Sequence, residues 1–103
     1  MAQFDVFVNP VPAARTAFPF VVAMQSDFAA TPREQIVAPV ATRSAFAPGG
    51  RLTPKVAING AEHIVFVPRM RAMQSRDLTA NVCSVASARS ELLAAIDLLF
   101  FGV

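Results

Sequence analysis

The closing segment of the chain, Leu92 to Val103, constrains its fold and function more than any other segment. At the helical increment of ~100° per residue, one stripe of apolar side chains forms along it and can pack on a core. That stripe comprises Leu92, Ile96, Leu99, Phe100 and Val103. Phe101 points roughly 150° away from the centre of the stripe by the same increment. Ala94 and Leu98 lie near Phe101, and Asp97 flanks it.

A large aromatic side chain opposite a core-facing stripe usually marks an interface. We therefore expect Phe101 to bury itself against another protein molecule. Two alternatives remain open from the residues alone: the helix is buried on both sides, or its last residues fold back.

Composition predicts one globular domain over residues 1–103, with 54 % hydrophobic and 16 % charged residues. The net charge is +2. The arginines are scattered, with a loose cluster at Arg69, Arg71 and Arg76. A nucleic-acid binder normally concentrates its cations on one element and adds aromatic side chains for stacking. A mildly basic surface fits an acidic protein partner at least as well, and we expect no direct contact with nucleic acid.

Cys83 is the only cysteine, which excludes an internal disulfide and suits a reducing compartment. Its apolar neighbours favour a small buried hydrophobe over a reactive thiol. No signal peptide is visible, and no apolar run reaches the ~20 residues of a membrane helix. We expect a cytoplasmic, soluble protein with no membrane contact.

Apolar runs predict three strands before the middle of the chain: Phe4 to Val8, half-buried, then Phe18 to Met24, and Ile36 to Ala41. Pro39 inside the third run indicates an edge strand or a bulge. The intervening segments, Asn9 to Ala17 and Thr42 to Pro54, are predicted to be loops, the first of them exposed.

A hairpin is the clearest local prediction, because Asn59-Gly60 favours a type I′ turn between Lys55–Ile58 and Ala61–Val67. Pro68 should end the returning strand. Further short strands are predicted within Met70–Met73 and Leu78–Val85, and Ser87 is a plausible N-cap for the final helix.

Candidate catalytic groups are sparse. His63 is the only histidine, so no pair exists for a metal or a proton relay, and we expect a surface or satisfied strand residue. The acidic residues Asp27, Glu34, Glu62 and Asp77 are isolated in sequence. Ser26 beside Asp27 predicts a local turn bond. Absence of a motif does not exclude an enzyme, but no catalytic residue, metal site or cofactor is indicated.

Several segments in the same order resemble the CcdB toxins of bacterial toxin–antitoxin modules, along nearly the full length. They are Gln3–Phe7, Val22–Asp27 followed by Thr31–Arg33 and Val37–Val40, and Ala95–Val103. The resemblance implies a mainly β fold with one C-terminal α-helix: a five-stranded antiparallel sheet of SH3-like barrel type, plus a smaller second sheet. It also implies a homodimer with the helix ends near the two-fold axis.

Members of this family bind the dimerisation region of the DNA gyrase A subunit and trap the enzyme on cleaved DNA. A CcdA-type antitoxin with an acidic disordered tail wraps the toxin and displaces it from gyrase. The family's gyrase-contacting tail is Trp-Gly-Ile, and its Trp lies against an arginine of gyrase. Phe101 replaces that Trp and keeps a cation–π face, although it lacks the indole N–H. The resemblance implies these gyrase-binding residues: Phe28, Ala29, Asp97, Phe100, Phe101, Gly102 and Val103.

Besides Phe101, three further positions in that set depart from the family, while Val103 is a near-isostere of the family's Ile. Asp97 replaces an Asn, while Phe28 and Ala29 replace two aliphatic residues. Two other functions stay open. One is an endoribonuclease toxin, because a related toxin family uses a similar barrel fold to cleave mRNA; it would need an arginine-lined groove, for which Arg69, Arg71 and Arg76 are the candidates. The other is a drifted homologue that binds the antitoxin without poisoning gyrase.

Overall fold

The computed structural model describes residues 1–29, 33–42 and 50–102. Within these ranges the chain forms seven strands and one α-helix. They are β1 (Asp5–Val8), β2 (Phe20–Ala23), β3 (Glu34–Thr42), β4 (Lys55–Ile58), β5 (Ala61–Val65), β6 (Arg71–Gln74), β7 (Asn81–Ser84) and α1 (Arg89–Phe101). The predicted mainly β architecture with one C-terminal helix is confirmed.

The strands form one connected antiparallel sheet, in the order β4-β5-β3-β2-β1-β7, with β6 also paired to β3. The sheet curls into a half-barrel. We expected a five-stranded sheet and a separate smaller one. The two are joined because β3 is nine residues long. Its first part, residues 34–37, pairs with β6, and its last part, residues 40–42, pairs with β5.

Pro39 lies in an interior strand, so the prediction of an edge strand there is wrong. Its register partner on β2 is Val21, and its carbonyl accepts the N–H of Phe66 at 2.9 Å. The nitrogen and carbonyl of a strand residue point to the same side. On that side β3 exchanges β5 for β6. The N–H that proline lacks would therefore fall in the gap between two ladders, where the sheet does not need it.

Both faces are covered at the centre of the sheet, in β1, β2 and the middle of β3, whereas β4 and β6 keep exposed residues. The principal core lies between one face and α1 and includes Val6 and Leu92, with Cys83 partly buried at its margin. A smaller core on the opposite face is formed by Phe7, Val21, Ala23, Val37 and Leu78. Adjacent residues of β1 and of β2 thus point into different cores. The prediction that β1 is half-buried is wrong for this reason: Val6 and Phe7 are both buried.

The predicted hairpin is confirmed. Asn59 and Gly60 have φ values of 52° and 80°, the two positive values that a type I′ turn requires. The returning strand β5 ends at Val65, and Pro68 lies in a 3₁₀ helix just beyond it. His63 is a buried, satisfied strand residue, with Nδ1 2.9 Å from the Ala61 carbonyl oxygen. Most of the loop predicted before this hairpin, residues 43–49, lies outside the described ranges.

The helix α1 buries Leu92 and Ala95 completely, with Ile96 and Leu99 packed at the margin of the same core. Phe100 does not belong to this stripe, because it lies to the side of the line through the buried residues and is 64 % exposed. Our assignment of Phe100 to the core was therefore wrong.

The start of the helix also differs from our expectation. A 3₁₀ helix, Ala86–Ala88, precedes α1, so Ala88 occupies the N-cap position and no side chain caps the helix there. Ser87 lies inside that preceding turn and is not the cap. At the other end Phe101 points away from the core as predicted and is 74 % exposed.

Replacing Leu92 by alanine should lower the free energy of unfolding by about 2–5 kcal/mol, because the side chain is fully buried. Phe101→Ala on the same helix is the matched control and should change it by less than about 0.5 kcal/mol. Urea unfolding at several protein concentrations separates folding from self-association. Equal losses in the two variants at low concentration would contradict the assignment of the helix faces.

Candidate functional site

Large apolar side chains reach solvent mainly at two places among the described residues. The most exposed are Phe28, which is fully exposed, and Phe100 and Phe101 at the end of α1. All three belong to the set of site residues that the sequence predicted. Exposed aromatic side chains of this size indicate contact with another molecule.

The end of α1 forms one continuous surface. Asp97, Phe100 and Phe101 are spaced i, i+3 and i+4, so their side chains are neighbours on the helix. Gly102 ends the helix in the left-handed conformation, with φ 74°, and its N–H donates to the Leu98 carbonyl at 3.1 Å. Val103, the last predicted site residue, lies outside the described residues.

Two features of α1 place negative charge at this helix end. The unpaired carbonyls of the last turn carry a partial negative charge, and the last turn contains no basic residue. Asp97 is exposed and adds a carboxylate one turn earlier. A partner's cation is therefore attracted to the surface on which the faces of Phe100 and Phe101 are exposed. This arrangement can bind another molecule through its exposed rings and the Asp97 carboxylate.

The turn that carries Phe28 is held by hydrogen bonds. The Phe28 N–H donates to Ser26 Oγ at 3.2 Å and the Ala29 N–H to the Ser26 carbonyl at 2.9 Å. Gln25 connects this turn to β3, because its side-chain amide bonds the Ala29 carbonyl and its Oε1 accepts the Ile36 N–H. The turn bond predicted for Ser26 is confirmed. The backbone that carries the exposed Phe28 side chain is thus fixed by hydrogen bonds.

The structure does not bring the two groups of site residues together within one chain. The Phe28 turn is connected through Gln3 to Arg89, the first residue of α1. Phe101 is the last residue of the same helix, about 18 Å further along its axis. Phe28 and Ala29 therefore form one surface, and the residues from Asp97 to Gly102 form another.

A groove on the opposite face of the sheet from α1 was not predicted from the sequence. It has a volume of about 250 Å³ and an apolar floor that includes Val21, Val37 and Met73. Arg69 and Arg71 lie at its rim. We call this feature the arginine-rimmed groove. Only the clustering of its arginines was visible in the sequence, because its floor comes from three strands distant along the chain.

Arg69 is held in place by two phenylalanine rings. Its guanidinium carbon lies 5.7 Å from the centroid of Phe18 and 5.9 Å from that of Phe66, and the two rings pack edge to face. Arg71 also lines a neighbouring pocket together with Arg76 and Asp77. The three clustered arginines thus line depressions that share Arg71, and Arg76 also lines a further pocket with Arg33 and Glu34.

The loop beside the groove is organised by Asn9. This residue is buried, its Nδ2 donates to the Phe18 carbonyl at 2.9 Å, and its Oδ1 accepts the Val11 N–H at 3.0 Å. The following residues, Pro12–Ala14, form a 3₁₀ helix. The expectation of an exposed loop from Asn9 to Ala17 is therefore wrong at its first residue, which anchors the wall of the groove.

The half-barrel sheet, the single helix and the exposed aromatic side chains define a small, mainly β protein with apolar surface in solvent. A comparison with family models matches residues 3–102 to the family described as CcdB protein. The chain belongs to the CcdB family, whose members are toxins of toxin–antitoxin modules. A comparison with curated proteins gave no significant match. No helix in the described part of the chain is long and apolar enough to span a membrane.

Proposed function

We propose that this chain is the toxin of a type II module that binds the DNA gyrase A subunit and traps the gyrase–DNA cleavage complex. The observation that carries the proposal is the exposed aromatic end of α1, Phe100 and Phe101, beside the exposed Asp97 at the negative end of the helix dipole. The family match supports it, because it includes this segment up to Gly102. The toxin performs no catalysis in this account.

Recognition of gyrase depends on a cation of the partner. In the family a Trp lies against an arginine of gyrase, and Phe101 occupies that position here. A phenyl ring attracts a guanidinium through its face, and Asp97 with the helix C-terminus strengthens the attraction. Gly102 lets the partner approach the backbone, since, apart from the adjoining chain, no described atom lies within 4 Å of the position that its Cβ would take.

Poisoning follows from selective binding. A ligand shifts a conformational equilibrium only by its difference in affinity for the two states. We propose that the toxin binds the gyrase state with cleaved DNA more tightly than the resealed state. Gyrase itself cleaves the DNA, and the bound toxin keeps the break from being resealed.

We further propose a homodimer in which the ends of α1 from two chains lie near the two-fold axis. Such an arrangement places two copies of Phe100 and Phe101 side by side and gives a larger apolar surface than one chain presents. It also gives the gyrase A dimer a partner of matching symmetry. The exposure of both aromatic side chains in the single chain supports this arrangement.

The arginine-rimmed groove suits the acidic tail of a CcdA-type antitoxin. Its apolar floor can accept an aliphatic or aromatic side chain, while Arg69 and Arg71 can pair with flanking carboxylates. The groove lies on the face of the sheet opposite α1. An antitoxin can therefore begin to bind while the helix end still contacts gyrase, which explains how it displaces the toxin.

Gly102→Glu and Phe101→Ala should each abolish growth inhibition on induced expression. The glutamate side chain would block the close approach of gyrase to the backbone, and loss of the phenyl ring would remove the cation–π face.

Phe101→Trp should strengthen gyrase binding by about 1 kcal/mol. Plasmid cleavage by purified gyrase measures poisoning directly, and incubation with RNA tests the ribonuclease alternative.

Thr79→Glu, an exposed position outside both surfaces, is the charge-matched control for Gly102→Glu and should remain toxic. Full toxicity of Gly102→Glu, with normal expression and fold, would contradict the proposed site. RNA cleavage by the pure protein in the absence of gyrase poisoning would favour the alternative.

Arg71→Glu should preserve growth inhibition but weaken antitoxin binding at least about tenfold, because a like charge would then face the acidic tail. Arg51→Glu reverses an exposed arginine outside the groove and should leave antitoxin binding unchanged. Calorimetric titration with the antitoxin measures the affinity of both variants. Equal affinity of the Arg71→Glu variant and the unaltered toxin would exclude the groove as the antitoxin site.

A further inference from the structure

Gln3 connects the Phe28 turn to the beginning of α1 through three hydrogen bonds. Its backbone N–H donates to Asp27 Oδ1 at 2.9 Å, and its side-chain Nε2 donates to the Met24 carbonyl at 3.1 Å. Its Oε1 accepts from Arg89 Nη1 at 3.1 Å. These bonds join segments that are 21 to 86 residues apart in the sequence. Gln3 thus uses its backbone donor and both ends of its amide in this one junction.

The backbone next to Gln3 is held in one conformation. Phe4 has φ 69°, in the left-handed region that a phenylalanine rarely adopts. Three contacts hold it there. Its ring is buried. Its N–H donates to the Ala23 carbonyl at 2.6 Å, and its carbonyl accepts the Val85 N–H at 2.9 Å. The Arg89 guanidinium also lies 5.9 Å from the Phe4 ring centroid. A residue in a strained conformation persists only where several contacts hold it there. The backbone at Phe4, to which Gln3 is attached, is therefore rigid.

We propose that Gln3 is a positioning residue for the Phe28 surface. It adds a tertiary connection to the local bonds of the turn and so holds Phe28 in a fixed place relative to α1. A segment whose backbone is already ordered loses less conformational entropy when it binds. This inference rests on the proposed function in one respect, which is that Phe28 contributes to gyrase binding.

The variant Gln3→Met tests the proposal, because methionine keeps the length of the side chain and the backbone bond to Asp27 but removes both amide bonds. We expect gyrase binding to weaken about three- to tenfold. Gln74→Met, an exposed glutamine on β6, is the matched control and should bind like the unaltered protein. Urea unfolding of both variants checks that the fold is retained.

Double variants separate positioning from general destabilisation. If Gln3 acts through Phe28, then Gln3→Met should have no further effect on binding in a Phe28→Ala background. It should keep its full effect in a Phe101→Ala background, measured by a binding assay sensitive to weak complexes. Equal effects in the two backgrounds would overturn the proposal.

A readout without gyrase distinguishes failure of this inference from failure of the proposed function. NMR order parameters for the amides of Phe28 and Ala29 should fall from about 0.85 towards 0.6 in Gln3→Met, while those of α1 stay unchanged. This fall would support the positioning role even if the unaltered protein did not bind gyrase. Unchanged order parameters at both amides would overturn it.

Discussion

The structure depends most on the packing of α1 against the sheet through Leu92 and Ala95. These two residues are fully buried in the principal core, so they fix the rotation of the helix about its own axis. That rotation determines which side chains of α1 stay outside the core. Phe101 points into solvent, and Phe100 lies at the edge of the covered face. The aromatic helix end is therefore a direct consequence of how the core is filled.

The second determinant is that the centre of the sheet is buried on both faces. Adjacent residues of β1 and β2 point into different cores. The sheet therefore separates α1 on one side from the arginine-rimmed groove on the other. We propose that this separation lets a toxin be bound by its target through one face and reached by its antitoxin through the other. Removal of the toxin then needs no initial competition for the same atoms.

The sequence predicted those features that depend on local signals. The Asn59-Gly60 hairpin and the exposure of Phe101 follow from turn chemistry and helical periodicity. Phe100 was wrongly assigned to the core because helical periodicity alone is compatible with its position in the stripe. Periodicity also did not identify Ala95 as a fully buried residue. The position of Pro39 depends on β3 exchanging one partner strand for another, which no local pattern encodes. The groove and the Gln3 junction were not predicted because their residues come together only through the fold.

The central claim is that the Phe28 turn and the end of α1 contact gyrase. The most direct measurement is an NMR titration of the labelled protein with the dimerisation fragment of the gyrase A subunit. The account predicts that the amide signals of Phe28, Phe100, Phe101 and Gly102 shift or broaden, while those at the rim of the arginine-rimmed groove stay in place. Changes confined to Arg69 and Arg71, with the helix end unaffected, would contradict it.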